Sequence, residues 1–184
     1  MFFKRKPKAP PGPVYQFYAN VNPNTCPPCL LRHGEVFSDP RAVPPLHEGC
    51  RCAALPVEAE ALKDAQQQGA RMQEKAQAEL RRRRLLETAL TLFDQDRDEA
   101  LVCLRESVAI DVHLEELEAF RCRCRGALEA DAALMARLRK LFVTAYFQKM
   151  DQPKYKWISP GLYGQLETQG RKRIQALFAD PVPR

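Results

Sequence analysis

The sequence has no run of about 18 apolar residues that would read as a membrane span. Its basic start, Met1-Phe-Phe-Lys-Arg-Lys-Pro-Lys8, leads into prolines and not into the apolar stretch of a secretory leader, so the expectation is a soluble, cytoplasmic protein. A Gly-rich phosphate loop is missing, and with it the usual signature of nucleotide binding. No serine or cysteine stands with His113 in a recognisable nucleophile arrangement, which leaves that residue as a capping or surface histidine. A strong charge bias is also lacking: the net charge of +6 bears on solubility and weak attraction to polyanions, and not on the fold. Without an internal repeat, a solenoid is excluded.

What is present is uneven. Of seven cysteines, Cys103, Cys122 and Cys124 fall in stretches with helical patterning, so the set reads poorly as an extracellular disulfide framework and better as reduced thiols plus a metal site. Cysteine and proline crowd the first third, and long helix-like patterning fills the rest. The change near Pro56 divides the chain into a basic, proline-rich arm (1–13), a metal-binding module (14–57), a long amphipathic helix (58–93) and a helical bundle (94–184). The fold class expected is mostly α: a small zinc-stabilised β-rich N-terminal module, then a long helix and a bundle.

Within the module, Tyr15, Phe17 and Ala19 alternate with polar neighbours as in a short strand, and Asn22-Pro-Asn24 turns the chain towards Cys26. A turn and a second strand are expected over 30–37, and a third extended segment over 52–57, with Pro56 marking the exit towards helix. The spacing Cys26-x2-Cys29, a long loop, then His47-x2-Cys50-x-Cys52 supplies five candidate ligands for the four places of a tetrahedral zinc ion. Cys26, Cys29 and Cys50 are first choices; His47 and Cys52 contend for the fourth place, with His47 preferred. A thiolate-rich set is typical of closed structural sites, and no general base accompanies it, so one structural zinc and no enzymatic activity is the reading. So short a segment should not fold without the metal.

The stretch from Tyr15-Gln-Phe-Tyr18 through Thr25-Cys-Pro-Pro-Cys29 and Gly34-Glu-Val-Phe37 to Pro44-Pro-Leu-His-Glu-Gly-Cys-Arg-Cys52 resembles the C-terminal zinc module of phage head morphogenesis proteins, the Mu F-like minor head proteins. The resemblance covers about a quarter of the chain. His33 stands where that family usually carries Asp, and here the module precedes the helices where in the family it usually follows them. The resemblance implies a zinc-stabilised recognition element of phage or prophage descent that works within a larger protein assembly.

In the long helix the apolar stripe is thin over Ala59, Leu62, Ala65, Gly69, Met72 and Ala76 and thickens at Leu85, Leu86, Ala89, Leu90 and Phe93, so its first half is expected to project or to pair with another helix. Further helices are expected at 97–109, 112–126, 131–150 and 160–178, the last capped by Ser159 with Pro160 at its first position. Asp94, Asp96 and Asp98 fail the calcium-loop pattern, since Glu99 and Arg105 stand where its glycine and glutamate belong, and read as helix stops and caps. Lys4, Arg5, Lys6 and Lys8 on the arm, with Arg81, Arg82, Arg83 and Arg84 on the helix, are candidate polyanion contacts, and a nucleic-acid-binding regulator is the alternative to an assembly protein. The segment from Lys154 to Trp157 is read as a linker pinned by the indole.

Overall fold

A computed structural model of the chain describes residues 12–150 and 159–177. The arm carrying Lys4, Arg5, Lys6 and Lys8, the segment from Lys154 to Trp157, and Phe178 lie outside the described residues. The described chain is mostly helical, with a small antiparallel sheet at its N-terminal end followed by a long helix. It separates into two compact units, Met1–Leu80 and Arg81–Arg184.

The first unit holds β1 (Val14–Tyr18), α1 (Pro27–Arg32), β2 (Val36–Phe37), β3 (Ala53–Val57) and the opening of α2 (Leu62–Leu92). β1 is the central strand, antiparallel to both neighbours, pairing Tyr15 with Phe37 and running from Val14 opposite Val57 to Tyr18 opposite Ala53. Because side chains alternate across a strand, Tyr15 and Phe17 face the cluster made with Phe37, Cys29 and Ala54, and Gln16 faces the other way. Pro56 lies inside β3, paired with Tyr15, and does not mark the exit; on an edge strand its missing N–H is tolerated.

The turn and second strand expected over 30–37 occupy 33–37, because the chain up to Arg32 is helical. Cys26 occupies the N-cap position of α1 and Pro27 its first turn, where a fixed φ and an absent N–H suit a helix start, so Cys26 and Cys29 are one helical turn apart. His33 ends α1. It is buried, its Nδ1 accepts the Ala19 N–H at 3.1 Å, and burial holds its pKa below the usual imidazole value, so it ties β1 to α1 as a neutral ring.

The first half of α2 does not project, as the thin stripe suggested. Gln16 Nε2 donates to the Ala65 carbonyl at 2.7 Å, and Gly34 and Gly69 meet backbone to backbone: a Cβ built on Gly69 would lie 2.3 Å from the Gly34 oxygen. Gly34 also has φ +87°, a conformation few other residues adopt. The small residues of the stripe, Ala65, Gly69 and Ala76, are therefore contact residues whose size permits close approach.

The second unit contains the end of α2, α3 (Arg97–Ile110), α4 (Leu114–Arg123), α5 (Arg125–Ala130), α6 (Ala132–Met150) and α7 (Pro160–Leu177). The single helix expected over 112–126 is two helices that bend at Cys124, where φ is −92° and ψ is 8°. Asp96 caps α3 by accepting the Glu99 N–H at 3.1 Å, as the aspartate pattern suggested. One continuous core joins the end of α2 with α3, α4, α5 and α6, with Phe93, Leu104, Phe120, Leu138 and Phe142 all nearly inaccessible, and Phe93 meets Phe120 edge to face at 5.6 Å. The stripe of Leu134, Leu138, Leu141 and Ala145 faces this core, while Ile174 with Tyr163 and Leu166 packs on Tyr146.

Candidate metal centre

The module brings all five predicted donors together, from two pieces of chain separated by the loop that carries β2. α1 delivers Cys26 and Cys29; the loop between β2 and β3 delivers His47, Cys50 and Cys52. The donor atoms form two triads, Cys26 with Cys29 and His47, and Cys29 with Cys50 and Cys52, and within each triad all lie within 4.8 Å of one another. Cys29 belongs to both. It is also the most buried of the five, packed beside Phe17 and Phe37 under the sheet, so the hub of the cluster is set by the core.

His47 Nε2 lies 3.1 Å from Cys26 Sγ and 3.2 Å from Cys29 Sγ, and Cys29 Sγ lies 3.9 Å from Cys50 Sγ. On the far side of the ring, Nδ1 is 2.8 Å from the Glu48 carbonyl. A carbonyl can only accept, so Nδ1 carries the proton and the Nε2 lone pair points at the thiols, an orientation that a backbone group imposes on metal-binding histidines generally. The sequence did not indicate this support, because a backbone carbonyl has no residue signature.

The electrostatics are those of crowded thiols. Burial pushes the Cys29 thiol well above its usual range, and neighbouring sulfurs push it further. Burial likewise raises Cys52. Backbone hydrogen bonds at Leu46 and Cys52 bring Cys50 down to about 7. For Cys26, burial opposes ionisation but is outweighed by hydrogen bonds from the Cys29 thiol and backbone and from His47. Several sulfurs this close cannot all ionise unless a cation neutralises them, and their chemistry and spacing could hold a metal ion.

A cleft of about 640 Å³ opens beside the cluster, and its other lining residues are Asn20, Asn22, Asn24, Thr25, Gly49 and Arg51. The remaining cysteines take no part. Cys103 and Cys124 are buried in the helical core, where burial raises the Cys124 thiol to about 11, and Cys122, two residues away on the other side of its helix, is exposed.

The arginine run is not one surface. Arg82 is 2% exposed, forms a two-pronged ion pair with Glu116, and its carbonyl accepts the Ser107 hydroxyl at 2.9 Å. It is withdrawn from any polyanion contact, which corrects the expectation for that residue. Arg81 is exposed, 3.6 Å from Glu106, and Arg84 is exposed. His113 starts α4 without capping it and sits 3.4 Å from Asp111, which Lys149 also binds at 2.9 Å. Among the described residues no helix is long and apolar enough to cross a membrane. Neither a family model, nor a curated protein, nor a solved structure matches the chain.

Proposed function

We propose that the module binds one structural zinc ion and that the chain is a non-enzymatic binding or assembly protein, of the kind its resemblance to head morphogenesis proteins implies. The observation that carries this reading is the gathering of five sulfur and imidazole donors into two triads that share Cys29, from two ends of a segment with little apolar core of its own. Thiolates and imidazole in a closed, four-coordinate set are the donor chemistry of structural zinc. With Zn–S near 2.3 Å and Zn–N near 2.0 Å, a tetrahedron has S···S edges of about 3.8 Å and S···N edges of about 3.5 Å. The 3.9 Å between Cys29 and Cys50 agrees with the first, and the 3.1 and 3.2 Å contacts of His47 fall a little short of the second.

The ligands in this reading are Cys26, Cys29, His47 and Cys50, with Cys52 beside the ion. His47 is favoured over Cys52 because the Glu48 carbonyl already aims its Nε2 at the thiols. A structural role is favoured over a catalytic one by the donor set and by the side chains that line the cleft, which are amides, a hydroxyl and a guanidinium rather than a carboxylate base. The metal's contribution is to join α1 to the loop before β3 and so to hold the surface that the module presents to a partner.

Elemental analysis of purified, reduced protein tests the proposal. About one zinc per chain is expected, none in the Cys26→Ser/Cys29→Ser double variant, and a larger loss of metal from His47→Ala than from Cys52→Ser. Absence of zinc, or full retention by the double variant, would contradict it.

A further inference from the structure

We propose that the groove between α3 and α6 docks an amphipathic helix of a partner protein, one that carries carboxylates beside its apolar anchors. Leu101 and Val108 of α3 and Leu141 and Ala145 of α6 form its floor, and the groove measures about 480 Å³. Leu101, Val108 and Ala145 also belong to the main core, so the groove keeps its shape whether or not something lies in it. Two parallel ridges of side chains at three- and four-residue steps, with an apolar trough between them, are the shape a third helix fills by ridge-into-groove packing.

The charge around the trough selects the occupant. Three cations, Arg105, Arg137 and Lys140, stand against one carboxylate, Asp98. Arg137 already holds Asp98 at 2.9 Å, which leaves Arg105 on one wall and Lys140 on the other exposed and, among the described residues, without a carboxylate partner. A helix with Leu or Ile anchors flanked by Asp or Glu would cover the apolar floor and pair both cations, whereas a basic helix would meet like charge on both sides. The net charge of +6 on the whole chain adds attraction for an acidic partner. The inference involves no residue of the metal centre and stands or falls separately from it.

The test is selection of a displayed helical peptide library against the full chain, with apolar residues fixed at i, i+3, i+4 and i+7 and the flanking positions drawn from Glu, Gln and Lys. Retained peptides should be Glu-flanked, and a Glu-to-Lys twin of the best one should bind roughly tenfold or more weakly in fluorescence anisotropy. The Arg105→Glu/Lys140→Glu variant, which changes two exposed side chains and should keep its circular dichroism, should reverse that preference. Retained peptides without charge preference, a preference unchanged in the double variant, or no retained peptide would each overturn the proposal. Concentration-dependent self-association that the double variant abolishes would overturn it as well, by assigning the groove to a second copy of this chain.

Discussion

The two units of this chain hold themselves together by different means. The helical unit has a long apolar roster, from Ala89 through Leu104, Phe120, Leu138 and Phe142, that closes into one core. The N-terminal unit has four buried members in its cluster, Phe17, Ala19, Cys29 and Phe37, and one of these is a metal-ligand candidate. Beside that cluster stand the three-stranded ladder and the buried Leu30, and α2 joins the unit through the close approach of Gly34 to Gly69 and the hydrogen bond from Gln16 to Ala65. Apolar burial alone can secure the first. The second has fewer buried apolar residues, and the proposed metal ion would supply what they do not; in the helical unit Cys103 and Cys124 are buried in the core and Cys122 is exposed.

The sharpest way to break the comparison in the helical unit is through Arg82, a deeply buried charge. Glu116→Ala removes the two-pronged carboxylate partner of the Arg82 guanidinium at 2% exposure and should cost about 1.5–3 kcal/mol in urea unfolding of that unit. A loss below about 0.5 kcal/mol would show that the other interactions of Arg82 hold it in place without Glu116. The corresponding test in the N-terminal unit is Gly69→Ala. On helix propensity alone this change gains about 1 kcal/mol, but the new Cβ would lie 2.3 Å from a backbone oxygen that cannot rotate away, so a net loss of about 1–3 kcal/mol is expected. Gly164→Ala in α7 meets nothing within 4 Å and should stabilise instead, which separates the close-approach argument from a general effect of alanine. The smallest effect belongs to the exposed arginines. Replacing Arg81 and Arg84 by alanine should barely change affinity for mixed-sequence RNA or its salt dependence, because the buried Arg82 between them breaks the run; a drop in salt slope of about two would favour the nucleic-acid reading.

The candidate donor set was legible because its spacing shows without any fold: two residues between Cys26 and Cys29, and the compact His47, Cys50, Cys52 group, match what a bound metal ion would require. Three strands, a long helix and a bundle were legible from periodicity. Less legible was anything that depends on what lies opposite. Cys26-Pro-Pro-Cys29 reads equally as a turn or a helix start until the chain shows which φ values continue. Ala65, Gly69 and Ala76 read as a weak stripe, although smallness was the property that let α2 approach Gly34. Arg82 was grouped with its neighbours as surface charge, yet it lies four residues before Leu86 and seven before Ala89, on the stripe that turns inward. That spacing was the available signal. The groove cations Arg105 and Lys140 had none, since nothing in one helix tells what the next will leave uncovered.

Amide hydrogen exchange of the full chain, with and without a strong zinc chelator, tests the central claim most directly. Removing the metal should make amides across 14–57 exchange fast while those of α3 and α6 keep their protection. Equal, slow exchange across 14–57 in demonstrably metal-free protein would mean that the small unit holds itself together without an ion, contrary to this account.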